Sequence, residues 1–189
     1  MKRRTFCSLT AVALAASVTA CSTTSGSATD AVSKRREIDA GVDGALNKLF
    51  ATADGSRELA AKAEGILVFP SVIAAGFIVG AEYGEGALRV AGRSVGYYRT
   101  TTASFGWLAG AQSKALILMF MTSDSLASFR ASNGWTAGVD GSVALATIGA
   151  NGKIDTNTAR APIIGFVVTN AGLMANLSLS GTKIGKLDI

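Results

Sequence analysis

The sequence predicts an α+β fold, a strongly curved and mostly antiparallel sheet with amphipathic helices at its N-terminal end. Three observations carry that expectation. Apolar residues recur at three- and four-residue spacing between about residues 31 and 50. From Ile66 onward the apolar segments are short, β-branched and separated by Gly, Ser, Asn or Asp. Glycines also sit inside those segments, at Gly76, Gly80, Gly84 and Gly86, where a sheet has to bend or another backbone comes close. The pattern leaves open whether the curvature reaches a barrel-like closure.

The helical elements come first. In AVSKRREIDAGVDGALNKLFATAD, Ile38, Val42, Leu46, Leu49 and Phe50 form one apolar stripe with charges opposite, although Gly41 and Gly44 weaken a helix by roughly 1 kcal/mol each. Ser56 reads as the N-cap of a short helix, RELAAKA, ended by Gly65. Strands follow in ILVF, GFIVGAEY, ALRV, SVGYYRT, ALILMFM, SVALATI, IIGFVV and LMANLSLS. One interruption, Ser123 to Arg130, reads as a short helix capped by Ser123 and carrying Leu126 and Phe129.

Before these elements the chain opens MKRRTFCSLTAVALAASVTAC. A basic start (Lys2, Arg3, Arg4), an apolar stretch from about Leu9 to Val18 and small residues before Cys21 make residues 1–20 a secretory signal rather than a membrane span, because the apolar stretch is too short. Val18-Thr19-Ala20-Cys21 resembles a bacterial lipobox, whose cysteine is diacylated and becomes the first residue after cleavage. An ordinary signal peptide cut before a chance cysteine is the alternative. Several buried acyl chains anchor a protein durably where one does not, and Ser22 in place of aspartate favours the outer membrane of a bacterial cell envelope. Residues 21–30 then form a lipidated Ser/Thr/Gly tether too polar to build a core. Arg3-Arg4-Thr5-Phe6 leaves export by the general or the twin-arginine route open. Residues 31–189 fit a single domain large enough to bury a core.

Composition narrows the chemistry. With Cys7 leaving in the signal and Cys21 acylated, no thiol remains for a disulfide, a metal or a nucleophile, and there is no histidine at all. The formal charge of +5 falls to +2 without the signal, with 15 basic against 13 acidic residues, so a globally basic nucleic-acid binder is not indicated. The basic residues are unevenly placed. Between Glu85 and Asp124 lie Arg89, Arg93, Arg99 and Lys114 and no acid, either solvated strand edges or contacts for an anionic headgroup.

The glycine stretch GFIVGAEYGEGALRV admits three readings. As a membrane helix, the uncharged run Gly65 to Ala81 is at the lower limit and contains Pro70. A second uncharged run, Ala161 to Thr182, is long enough, but it alternates polar and apolar residues at period two from Asn176 to Ser180. As a phosphate loop, the stretch lacks the lysine followed by Ser or Thr, and it lacks a third dinucleotide-type glycine. What remains is a bent sheet in which Gly84 and Gly86 mark a bulge or tight turn around Glu85.

The blocks AEGILVFPSVIAAGFIVGAEYGEGALRV, YYRTTTASFGWLAGAQSKALILMFMT, GWTAGVDGSVALA and GLMANLSLSGTKI, in that order from about Ala31 to Ile184, resemble the SYLF domain family. Its bacterial members are often lipoproteins; eukaryotic members are associated with phosphoinositide membranes and, in fungi, with actin at endocytic patches. The resemblance implies a membrane-lipid-binding module without catalysis or cofactor. Its N-terminal amphipathic segment, here with Lys34, Arg35 and Arg36, is implicated in lipid contact. The bland reading of those three residues is a solvated first turn of a helix whose stripe packs on the sheet.

Enzyme readings are weaker. Ser180-Gly181-Thr182-Lys183 matches S-x-x-K, but it follows a strand pattern instead of opening a helix. Glu82 and Glu85, a conceivable carboxylate pair, have the odd spacing that puts them on opposite faces of a strand. The expectation is therefore an envelope lipoprotein whose folded part contacts membrane lipid. A scaffold or surface antigen that binds protein partners is the alternative.

Overall fold

The computed structural model describes residues 28–76, 79–105, 112–146, 154, 158–170, 172–174 and 179–189. The signal peptide, Cys21, most of the tether and the alternating residues 176–178 lie outside the described residues.

The amphipathic stripe forms α1 (Ala28–Thr52), which buries Ile38, Val42, Ala45 and Leu49 at intervals of three and four. A left-handed Gly55 (φ 84°) then turns the chain into α2 (Ser56–Lys62). Ser56 is not the cap but the buried first residue of that helix, its hydroxyl donating to the Ala53 carbonyl at 2.6 Å. Gly65, expected to end the helix, opens the first strand, because Ala63 is already extended.

Among the described residues the strands form one sheet. They are β1 (Gly65–Gly76), β2 (Val79–Val90), β3 (Arg93–Phe105), β4 (Gln112–Phe120), β5 (Trp135–Thr136), β6 (Ala144–Leu145), β7 (Ile163–Thr169), β8 (Gly172–Leu173) and β9 (Lys183–Lys186), in the order β5-β9-β3-β2-β1-β4-β7-β6 with β8 on β7. Every pairing is antiparallel except β6 with β7, and the sheet is strongly curled into a half-barrel, the α+β class the sequence predicts. After β4 comes α3 (Ser123–Ala131), capped by Thr122 rather than Ser123: the Thr122 hydroxyl accepts from the Ser125 backbone N–H at 3.2 Å.

GFIVGAEY is not one strand. Gly76 pairs with Gly80 across a hairpin, so Gly76 belongs to β1 while Gly80 and Gly84 belong to β2. The bulge also lies elsewhere than expected. Along Gly84-Glu85-Gly86, β2 pairs with β3 without interruption, and the register shift occurs opposite, between Val68 and Ser71 of β1. Pro70 explains its position, since a residue without an N–H is tolerated in a sheet interior only at a bulge. The β2 glycines make room for it. A Cβ on Gly86 would lie 2.0 Å from the Val68 carbonyl oxygen, and one on Gly84 would lie 2.8 Å from that of Ser71.

Both faces of the sheet are covered, which is why the central strands read as continuous apolar runs. Leu67, Phe69, Leu116, Leu118, Phe120 and Val167 point to one face, the inner face, where Phe129 of α3 packs with ring centroids 4.9 Å from Phe120 and 5.0 Å from Tyr98. The alternate residues Val68, Ile117, Met119, Ile164 and Phe166 point outward against the stripe of α1. Burying each such side chain contributes about 1.5–3 kcal/mol. No helix among the described residues is long and apolar enough to cross a membrane.

Candidate lipid-contact surface

The outer face is clamped by α1. Asp39 accepts from the Ser94 hydroxyl at 2.6 Å and the Tyr97 hydroxyl at 3.0 Å, and Arg89 pairs with Asp43 at 2.9 Å while donating to the Asp39 carbonyl at 3.2 Å. At Gly41 the helix settles onto the β1 bulge, where a Cβ would meet Pro70 Cγ at 2.9 Å. The apolar stripe is thus occupied by the sheet, as in the bland reading of this helix.

The predicted cations do not converge on one patch. Arg89 is mostly buried under α1 with acidic partners. Lys114 lies on the inner face, paired with Glu82 at 2.8 Å. Arg93 is exposed beside the β2–β3 turn, at the far end of the sheet from Gly76. On α1, Lys34 pairs with Glu85 at 2.6 Å, Arg35 donates from Nε to the Ile189 main-chain oxygen at 2.8 Å and lies 6.0 Å from the Tyr97 ring centroid, and Arg36 is exposed. Arg99 is exposed on the outer face, directly across from Glu85. Glu82 and Glu85 point to opposite faces, as their spacing predicts.

Beyond the stretch that α1 covers, the outer face of the β1–β2 hairpin is open. One row crosses the sheet through Ser113, Ile73, Tyr83, Thr101 and Lys183, with Ser71, Glu85 and Arg99 in the row beside it. Ile73 and Tyr83 face each other across the strands at 50% and 47% exposure, an unusual level for large apolar side chains in mid-strand. Arg99 and Lys183 flank them, and neither forms an ion pair among the described residues. Sequence reasoning missed Ile73 and Tyr83 because alternation cannot tell which outward positions a helix will cover. It met Lys183 only within S-x-x-K, a motif that here spans a turn at Gly181 (φ 85°) and the first residue of β9.

Between this open row and α1 lies a crevice of about 490 Å³, walled by Glu37 and Ile38 of the helix and by Pro70, Ser71, Ile73 and Tyr83 of the hairpin. Glu85 stands in it, accepting from the Tyr83 hydroxyl at 2.8 Å as well as from Lys34. Partial burial works to raise the Glu85 carboxyl, but these two hydrogen bonds prevail and hold it below the usual range. The hydrogen bond to Glu85 raises Lys34, and burial followed by the same carboxylate raises Tyr83.

Residues 101–188 match the family Ysc84, described as Las17-binding protein actin regulator. This region is similar to SYLF-family domains. The match begins within β3 and takes in the remaining strands to β9, including Lys183. The α1 clamp and the β1–β2 hairpin precede it, yet β1 is hydrogen-bonded to β4 and β2 to β3, so the matched region and the part before it share one sheet. No curated protein matches the chain.

Proposed function

We propose that this SYLF-like chain is a non-catalytic module that is anchored at the bacterial cell envelope through acylated Cys21 and contacts membrane lipid with the open outer face of its sheet. The observation that carries the reading is the half-exposed Ile73–Tyr83 pair between Arg99 and Lys183. A tyrosine ring suits the boundary between acyl chains and headgroups, and unpaired cations beside it are drawn to anionic lipid. The lipobox-like Val18-Thr19-Ala20-Cys21 supports the anchor, residues 1–20 the export signal, and Ser22 the outer membrane. Residues 31–189 act as one unit in this reading. The family description, which names a protein-binding actin regulator, supports the scaffold reading, in which the same face holds a protein.

The test is vesicle co-sedimentation of the chain from residue 21 onward carrying Cys21→Ser, so that neither the basic, apolar signal segment nor an acyl chain contributes. Binding to phosphatidylglycerol vesicles is expected to weaken with salt. Because a basic residue near an anionic surface is worth about 1 kcal/mol, the double change Arg99→Glu, Lys183→Glu is expected to lower it at least tenfold. Arg93→Glu, at the far end of the sheet, is expected to leave it unchanged. Absence of binding at every salt concentration refutes the lipid reading and directs attention to protein partners.

A further inference from the structure

We propose that the crevice between α1 and the bulged hairpin is a binding site for a primary ammonium group attached to an apolar chain. The proposal deepens the lipid-contact reading, since the crevice opens beside the same surface, but it rests on its own observations.

The first is charge. The ionisable groups that wall the crevice are Lys34, Glu37, Glu85 and the neutral Tyr83, which gives its lining one net negative charge that Arg99, directly across from Glu85, offsets only from outside the crevice. An anion is disfavoured inside it and a cation is favoured.

The second is the state of Glu85. Its two oxygens each accept one hydrogen bond, from Tyr83 and from Lys34, whereas an ionised carboxylate offers about four lone-pair sites. The Lys34 ammonium already shows that this carboxylate accepts a primary amine. A second one can approach on the free lone pairs, and the exposed Glu37 also lines the crevice. The remaining walls, Ile38, Pro70, Ile73 and the Tyr83 ring, are apolar and suit a hydrocarbon chain, with the ring face adding attraction for a cation.

The third is that the space is built into the fold. The Pro70 bulge displaces β1, and Gly41 lets α1 rest on Pro70, so the helix is fixed at one end of the crevice. A quaternary ammonium has no N–H to donate to Glu85, so the site distinguishes ethanolamine-type from choline-type headgroups.

The chemistry could come from a free amphiphilic amine or from a lipid headgroup, and the test separates them. In one arm, n-octylammonium is titrated into the chain from residue 21 onward carrying Cys21→Ser, with octanoate as the same tail bearing the opposite charge. Saturable binding of the amine and none of octanoate is expected. Glu85→Gln is expected to weaken it at least tenfold, Glu37→Gln severalfold, and Lys34→Met, which removes the competing cation, to strengthen it. In the second arm, phosphatidylethanolamine vesicles are compared with phosphatidylcholine vesicles, the former expected to bind better and Glu85→Gln to erase the difference. Equal binding of octanoate, or unchanged octylammonium affinity in Glu85→Gln that keeps the wild-type circular dichroism spectrum, overturns the proposal. Octylammonium binding without a vesicle difference assigns the site to free amines. Equal vesicle binding together with no octylammonium binding overturns the crevice site while leaving the lipid-contact surface standing.

Discussion

Three glycines of this chain, each replaced by alanine, should respond with different signs because their surroundings differ. At Gly86 the added Cβ would stand 2.0 Å from the Val68 carbonyl oxygen and 2.8 Å from Phe69 Cδ1. Reaching even 3.0 Å requires about 1 Å of separation between β1 and β2, against an interstrand spacing of about 4.8 Å. Neither strand can yield freely, since β1 is also bonded to β4 and β2 to β3. Overpacking of this kind costs about 1–3 kcal/mol, and one or two weakened backbone hydrogen bonds at the bulge add roughly 1 kcal/mol each. Gly86→Ala should therefore lose about 2–5 kcal/mol. At Gly44, on the exposed side of α1, the Cβ meets nothing within 4 Å, so Gly44→Ala should gain about 0.8–1 kcal/mol from helix propensity alone. Gly41→Ala falls between, because the same propensity gain is offset by a 2.9 Å contact with Pro70, a ring that can shift a little. The assay is urea unfolding followed by circular dichroism. With a slope near 2 kcal/mol per molar, Gly86→Ala should lower the midpoint by about 1–2.5 M and Gly44→Ala should raise it by about 0.5 M. If Gly86→Ala unfolds within a few tenths molar of the wild type, the bulge does not press on β2 and the account of the sheet's curl is wrong.

At the β2–β3 turn, Ala91 (φ 50°) precedes Gly92 (φ 76°), a two-residue loop with both positions in the left-handed region, which costs an alanine about 1–2 kcal/mol. Ala91→Asn should raise stability by about 1 kcal/mol in the same urea assay, and a loss would refute that turn geometry. All three tyrosines are raised above the ordinary value of 10.0: Tyr83 by burial and Glu85, Tyr97 by burial and Asp39, Tyr98 by burial in part countered by Arg130. Groups raised in the folded state contribute stability that is complete below the ordinary value and lost as pH rises through the folded one, and Lys34 acts in the same sense. Glu85, held low, contributes stability above its ordinary value of 4.5 that is lost as pH falls through its folded one. The ultraviolet titration of native tyrosines should thus run at higher pH than that of the urea-unfolded chain, and superimposed curves would exclude the Tyr97–Asp39 contact.

Most of the architecture was legible because it follows from period. The 3.6-residue stripe gave α1, and the short β-branched runs gave the central strands, since Leu116, Leu118 and Phe120 alternate with Ile117 and Met119 between two buried faces. What was not legible depends on which neighbour a strand finds. Gly84 and Gly86 announced a backbone approach correctly, but only the register shows that the extra residue sits in β1 beside Pro70. Ser56 and Ser123 each lie one residue past the real N-caps: Thr122 supplies a capping hydroxyl of the same kind as Ser123, whereas Gly55 takes its place through a left-handed backbone without any side-chain bond.

The candidate site was harder to read for a related reason. A run of basic residues without acids looks free along the chain, yet Arg89 finds Asp39 and Asp43 about fifty residues earlier and Lys114 finds Glu82 across two strands. Charge reversal at either would therefore damage the fold before it reported on any ligand, since a cation removed from a partly buried pair leaves an unpaired carboxylate behind. Arg99 and Lys183 are informative for the opposite reason: they come from strands that lie far apart in sequence, carry no ion pair among the described residues, and flank the only mid-strand apolar pair, among those residues, that α1 leaves half-exposed. It is the length of α1, and the point at which Gly41 seats it on Pro70, that decides where this face ends its structural role and becomes available to a ligand.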